Sequence, residues 1–400
     1  MSDDPAAIRE RAAAVHEAGP TLRKATIDER TAWLAEAADR LLGRASSESA
    51  ALAETTGLSV RMVDWATRTT LKTVDEQALR SLASQARGSG REPIAMLSII
   101  LAGNVFTASV RGIVVPLLLG VPVLVKSSSR ETSFPAMLRD ALRRTDPGLG
   151  AAMDLVVFPG GDPEREAALV QSAEAVAVYG SDQTVASIEG RCTDRMLIAH
   201  GHGVSAAYCG SRALSKAHID RTIAALSLDI CAYDQRGCLS PQVVFVQASR
   251  DYAVSEFAER LAIRGLEPLA KALPRGPLPL AVGAAQAQWR GVAEVEATLI
   301  LGDTFSICVR DRGPIRWSPG YRNVSVLPVS DVGDAFDVMQ PFATSLKCLG
   351  TDDASRAAVE HELGRRDAFY AYACELGQMQ APPLDAPADG MPIWHGLLRT

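Results

Sequence analysis

Four short apolar runs, at residues 94–100, 122–125, 154–158 and 175–179, recur without polar alternation. A strand with one wet face alternates, so unbroken runs of this length read as strands buried on both faces, as in a parallel sheet covered by helices. The segments between and after them (105–119, 133–143, 163–172 and 182–189) read as helices. Strand–helix alternation of this kind makes a Rossmann-like α/β unit. A second alternation follows: strand 205–209, helix 217–232, strand 242–247 and helix 253–264. After a Pro/Gly-rich loop over 268–283 come strands near 297–301, 305–309, 324–329 and 345–349, then a helix over 355–376 and an irregular proline-rich tail. The first ninety residues read as helices. Leu34, Ala37, Ala38, Leu41 and Leu42 fall at helical spacing, Gly43 stands where a C-cap glycine would, and Gly88-Ser89-Gly90 marks a linker.

Composition narrows the function classes. At roughly 150 residues per domain, 400 residues hold two or three domains with real cores. With 47% hydrophobic and 22% charged residues the chain is neither disordered nor fibrous. Its net charge of −6, with no basic block, argues against nucleic acid as a partner. The opening MSDDPAAIRE has acids where a secretory signal needs a basic and then an apolar stretch. The longest apolar region, 93–125, is interrupted by Pro93, Ser98, Asn104, Thr107, Ser109 and Arg111, short of the ~20 mainly apolar residues of a membrane span. A cytoplasmic protein is expected. Its seven cysteines contain no CxxC pair, so reduced thiols are expected in place of a disulfide framework or zinc ribbon. His200 and His202 lack a third ligand at metal-like spacing, and no metal site is expected.

Four strand-end junctions can carry chemistry. Asn104 follows the first strand, where open α/β sheets bind ligands. Its amide can donate to an oxyanion or cap the next helix. Lys126, Ser127, Ser128, Ser129 and Arg130 end the second strand, a set that fits a ribose or phosphate and equally a solvated turn. Gly180 and Ser181 end the fourth strand, facing a diphosphate or simply capping a helix. Cys238 lies in a turn before a strand, where exposed N–H groups lower a thiol's pKa and double as oxyanion donors; a structural cysteine fits as well.

In this order and spacing the four junctions resemble the aldehyde dehydrogenase superfamily, with Asn104, Pro116, Lys126, Gly180-Ser181 and Cys238 at its usual elements. The strings AGNV (102–105), DQRGCLSPQ (234–242), SPGYRN (318–323) and SLKCLGT (345–351), with the closing MPIWHGLLRT, are similar to one branch, the long-chain acyl-CoA reductases of bacterial luminescence systems. The resemblance covers about residues 90–400. It implies two Rossmann-like parallel-sheet domains behind an N-terminal helical cap: residues 1–203 as cap and cofactor domain, 204–350 as catalytic domain, and 351–400 returning to the cofactor domain.

The resemblance also implies that Cys238 attacks an acyl thioester, that Asn104 and the Cys238 N–H hold the oxyanion, and that a reduced nicotinamide releases the aldehyde. Oxidising members of the superfamily carry Glu-Leu-Gly-Gly, whose Glu activates water. The corresponding stretch here, 199–203, has no carboxylate, which favours reduction and makes His202 a candidate acid or base. The superfamily's nicotinamide-ribose Glu has no clear counterpart. Cofactor contacts are expected at Lys126, Ser128, Ser129, Arg130, Gly180 and Ser181. Hydroxyls and a guanidinium, with no acid before Glu131, favour NADPH over NADH. The acyl donor is expected to be acyl-CoA or a carrier-protein thioester, and the assembly a homo-oligomer. The rivals are an NAD(P)-dependent aldehyde dehydrogenase, an acyl-phosphate reductase and a non-catalytic scaffold.

Overall fold

In the computed structural model, which describes residues 2–311 and 313–399, the two alternations form two sheets. The first comprises β1 (Leu97–Ile100), β2 (Val123–Lys126), β3 (Met153–Val156), β4 (Ala175–Tyr179) and β5 (Met196–His200). They are all parallel, in the order β3-β2-β1-β4-β5. The chain builds outward from β1 to β3 and then returns to the other side, so the topological switch lies between β1 and β4. Ligands of such sheets bind beyond the strand C-termini at that point. Asn104 and Gly180-Ser181 follow these two strands.

The second sheet holds β6 (Val204–Cys209), β7 (Pro241–Gln247), β8 (Thr298–Leu301), β9 (Ser306–Val309), β10 (Asn323–Val329), β11 (Leu346–Thr351) and β12 (Tyr372–Glu375). Its order is β12-β11-β6-β7-β10-β9-β8, and only the β8–β9 pairing is antiparallel.

Five helices precede the first sheet: α1 (Pro5–Lys24), α2 (Ile27–Ser47), α3 (Ser49–Thr56), α4 (Val60–Leu71) and α5 (Glu76–Arg87). Thr26 and Glu29 form a reciprocal capping box that starts α2. The crossovers of the first sheet include α6 (Ala108–Leu118), α7 (Ser133–Thr145), α8 (Pro147–Ala151), α9 (Pro163–Gln171) and α10 (Asp182–Glu189), and α11 (Ile219–Cys231) joins β6 to β7.

Both faces of the first sheet are covered, as the unalternating runs require. Leu97, Ile99, Val123 and Val125 share a core with Ile113 and Leu117 of α6 and Leu34 and Leu41 of α2. Ile100, Leu124, Val176 and Val178 pack with Ile8 and Val15 of α1 and Leu169 of α9. Each such side chain contributes roughly 1.5–3 kcal/mol by leaving water.

Several elements differ from the sequence reading. Helix α2 runs past Gly43 to Ser47. Ala45 is buried there and Arg44 pairs with Glu48 and Asp140, contacts that offset the ~1 kcal/mol a mid-helix glycine costs. Strand β5 was not expected because it is an edge strand with half-exposed side chains, not a buried run. The expected 355–376 helix stops at Arg365, and Tyr372–Glu375 pairs in parallel with β11 instead. The stretch 268–283 is partly helical, and a helix over Leu280–Glu296 follows. The last residues pack on the first sheet's side of the molecule. The Ile94 N–H donates to the Leu397 carbonyl, and Arg399 makes two 3.0 Å hydrogen bonds to Glu174. Among the described residues, no helix is long and apolar enough to cross a membrane.

Candidate active site

The C-terminal edge of the first sheet meets the loop that enters β7. Helix α11 ends at Cys231, and the chain turns through Ala232–Gln235, where Tyr233, Asp234 and Gln235 hold consecutive left-handed φ values of 52°, 53° and 57°. Each such residue costs of order 1–3 kcal/mol and persists only where surroundings impose it. The surroundings are explicit. The Tyr233 ring is buried edge-on to Trp65 and Phe106, and its hydroxyl meets those of Thr107 (2.6 Å) and Thr70 (3.1 Å). Asp234 accepts from Arg322 Nη2 (2.7 Å) and from the Gly276 N–H (2.9 Å). Gln235 Nε2 donates to the carbonyls of Pro241 and Asn323. Gly320, at φ 70°, passes so close that a Cβ there would lie 2.9 Å from the Gln235 carbonyl oxygen. The strings 234–242 and 318–323 thus clamp each other around the turn.

Cys238 follows this turn and is the one exposed cysteine of the seven. Ser205 of β6 donates its hydroxyl to the Cys238 carbonyl at 2.7 Å. Asn104 Nδ2 donates to the Arg236 carbonyl at 3.1 Å, and a Cβ on Gly237 would touch Val105 at 3.2 Å, so the β1 and Cys238 loops abut. One amide hydrogen of Asn104 is therefore spent on this bond, and the other makes none among the described residues. Asn104 is not a helix cap: α6 begins at Ala108, with Thr107 in the cap position.

Solvent reaches the Cys238 side chain, yet the protein packed around it pushes the thiol pKa up. Lys347 and the N–H groups of Cys238 and Leu239 pull it down, and Asp389 adds to the rise. Asp389 is bonded on one oxygen to Lys347 Nζ and on the other to His200 Nδ1 (2.9 Å). The His200 ring stacks on Tyr179, with centroids 4.5 Å apart. Burial raises the Asp389 carboxyl pKa, but the bonds from His200 and Lys347 outweigh it, and the group sits below its ordinary value.

The other sequence-derived candidates take distinct places. His202 is exposed beyond the end of β5, and its N–H donates to Asp182 Oδ1 at 2.8 Å; it is His200 that joins the charged cluster. Ser181 caps α10 through the Thr184 N–H (3.2 Å), after Gly180, whose N–H donates to the His200 carbonyl. Lys126 is buried over the Phe158 ring, 5.2 Å from its centroid, and burial lowers its pKa. The buried Ser127 hydroxyl has no partner, and Ser128 Oγ accepts the Arg130 N–H. Ser129 and Arg130 are exposed, and the Arg130 guanidinium makes no bond among the described residues. Glu131 is turned inward and accepts the Phe134 N–H in the first turn of α7 (2.8 Å); burial raises its pKa. A nicotinamide nucleotide fits this edge. Among the described residues, an unpartnered hydroxyl, an unbonded guanidinium and a lysine stand at the end of β2, and the β1 loop abuts the Cys238 loop.

Sequence reasoning missed Tyr179, His200, Ser205, Lys347 and Asp389 as site residues. The Asp389-Gly390 pair was the available signal, since both adopt positive φ (52° and 76°).

The whole chain superimposes on aldehyde dehydrogenase structures. Aldehyde dehydrogenase 21 from Physcomitrella patens, solved with succinate, matches 100% of this chain and 90% of its own at 14% identity and a TM-score of 0.74. NADP-dependent glyceraldehyde-3-phosphate dehydrogenase from Bacillus halodurans C-125, solved with NADP, matches 100% and 90% at 15% identity and a TM-score of 0.74. Salicylaldehyde dehydrogenase from Pseudomonas putida G7 matches 94% and 82% at 15% identity and a TM-score of 0.71. These likenesses establish the fold. No curated protein sequence is significantly similar to the chain. The family model for acyl-CoA reductase (LuxC), however, matches residues 34–400, a span that holds Asn104, the Cys238 turn, its SPGYRN clamp and the tail that supplies Asp389. The chain belongs to the acyl-CoA reductase (LuxC) family.

Proposed function

We propose that this enzyme reduces an acyl thioester, carried by coenzyme A or a carrier protein, to the aldehyde through an acyl group on Cys238. The observation that carries the reading is the junction itself. The one exposed cysteine lies in a turn that the Asn104 amide tethers to the β1 loop, and the carboxylate nearest in effect, Asp389, has both oxygens engaged. A carboxylate so held is not free to activate water, which favours reduction over hydrolysis of the acyl-enzyme.

In this reading Cys238 sulfur adds to the thioester carbonyl carbon. The free Asn104 N–H and the Cys238 N–H stabilise the oxyanion, and the departing thiolate takes the proton the cysteine gave up. The cofactor, when bound, supplies the hydride that brings the acyl carbon to the aldehyde level. Cys238 then leaves as thiolate and regains a proton. His202, exposed and outside the charged cluster, is in this reading the candidate acid or base toward the substrate.

We read the cofactor as NADPH. Among the described residues Arg130 is unpaired, Ser128, Ser129 and Lys126 precede it in the loop, and Glu131 is turned inward onto the Phe134 N–H, away from the position where it would repel a 2′-phosphate. Gly180 and Ser181, at the start of α10, would hold the diphosphate. NADH consumption matching that of NADPH would overturn this part, and Arg130→Ala should weaken NADPH selectively. The reading places residues 1–203 as cap and cofactor domain, 204–350 as the thiol domain and 351–400 as a helix and tail that, beyond the β12 pairing, return to the cofactor domain. It also places the enzyme in the cytoplasm, where Cys238 stays reduced. A homo-oligomer is part of it, supported by Leu280, Val295 and Leu301 at 92%, 86% and 58% exposure on the helix and strand at one end of the second sheet; light scattering tests this.

The deciding assay follows NADPH absorbance with a panel of acyl-CoA esters. Consumption with aldehyde formation supports the reading. Turnover of acyl phosphates alone, or aldehyde oxidation without coenzyme A, replaces it with one of the same-fold rivals.

A further inference from the structure

Ser205 does more than hold the Cys238 carbonyl. Its oxygen also accepts the Cys348 N–H at 3.2 Å, so one hydroxyl ties β11 to the cysteine loop. The residue before Cys348 is Lys347, and there the register slips: Leu346 pairs with Val204 and Cys348 with Ser205, leaving Lys347 as an extra residue. Such a β-bulge re-aims a side chain that regular alternation would send elsewhere, and bulges gather beside active sites. Gly203 makes room for the re-aimed chain, since a Cβ there would collide with the Lys347 stem. The ammonium reaches Asp389, which itself sits in the left-handed region and is anchored by His200. Three remote elements, the end of β5, the β11 bulge and the C-terminal tail, thus converge on one charged node, which Ser205 ties to the Cys238 loop.

The charged and titratable groups whose fields reach Cys238 are Lys347, Asp389 and Tyr179, and Arg111 and Asp389 act in turn on Tyr179. Arg236, two residues away, is directed elsewhere, donating to the Thr56 carbonyl. Asp182 is engaged by the His202 N–H.

We propose that Lys347 and Asp389 are opposed positioning residues that set the ionisation of Cys238. The Lys347 ammonium favours the thiolate, and Asp389, fixed by His200, limits that effect. The balance suits a sulfur that must be both nucleophile and leaving group. A lower thiol pKa makes it leave faster but attack more weakly. The catalytic meaning of the node rests on the acyl-transfer reading above; its electrostatic effect on the thiol does not.

The test is the pH dependence of Cys238 alkylation by iodoacetamide, read on the Cys238 peptide by mass spectrometry, using the full chain without substrate or cofactor. Lys347→Met should move the midpoint up and slow alkylation near neutral pH roughly tenfold. Asp389→Asn should move the midpoint down and speed alkylation near neutral pH. Lys347→Arg keeps the charge and should restore the wild-type profile, whereas loss of the shared Lys347–Asp389 contact alone would move both variants the same way. If Lys347→Met fails to fold, Lys347→Gln gives the same reading. Midpoints that move in the same direction, or do not move, overturn the proposal. Opposed shifts in a protein that never reduces an acyl thioester would refute the functional reading and leave this one standing.

Discussion

Removing Arg322 should collapse the turn that presents Cys238. The Asp234–Arg322 ion pair spans 2.7 Å between side chains that are 2% and 0% exposed. Deleting one partner of such a pair leaves an uncompensated buried charge and costs about 3–5 kcal/mol. Arg322→Met therefore strands Asp234 with only the Gly276 N–H, while Asp234→Ala strands Arg322 with only the Leu273 carbonyl. A loss of this size is a large fraction of the roughly 5–15 kcal/mol that holds a typical domain together. It also removes the contact that offsets the left-handed backbone at 233–235, so the turn should relax and carry Cys238 away from Asn104. The double variant Asp234→Ala/Arg322→Met removes both charges and should lose clearly less than the two single losses added together. Urea denaturation gives the stability, and peptide-resolved alkylation of Cys238, at urea concentrations where the fold is intact, gives the placement. Single variants that lose under about 1 kcal/mol, the value of an exposed pair, with unchanged alkylation would refute the clamp.

Two further outcomes follow from the same geometry. Asn104→Ala should lower kcat by ~10²–10³ in steady-state assays, because one oxyanion donor is lost; the exposed Arg236 contact adds only about 1 kcal/mol of stability. Burial pushes the Asp229 carboxyl up to about 8, against 3.8 for a free aspartate. Between these values the folded chain keeps a proton that the unfolded chain releases, so this group's contribution to stability falls as pH rises from about 4 to 8, by at most ~1.4 kcal/mol per unit. Asp229→Asn should remove that slope in denaturation curves taken across this range, whatever it does to absolute stability.

The strands of the first sheet were legible because burial on both faces leaves an unbroken apolar run, and β4 and α10 fall where that pattern puts them. Strand β5 was not, since an edge strand keeps half its side chains wet. The Cys238 turn was legible as a string, but its partner string lies eighty residues on, and the pairing of Asp234 with Arg322 is a tertiary fact that local spacing does not carry. The choice between His200 and His202 shows the same limit. The strand ends at His200, and Asp182 holds the backbone of the next turn at the His202 N–H. Lys347 was hidden for a different reason: a bulge breaks the two-residue alternation on which any sequence reading of strand faces depends.

The most direct test is to incubate the protein with an acyl-CoA in the absence of nicotinamide and map any adduct by mass spectrometry. The account predicts one acyl group, on the peptide that carries Cys238, lost on addition of NADPH with release of the aldehyde and absent from Cys238→Ala. An acyl group on another residue, or no adduct with any acyl-CoA while the protein remains folded, would contradict it.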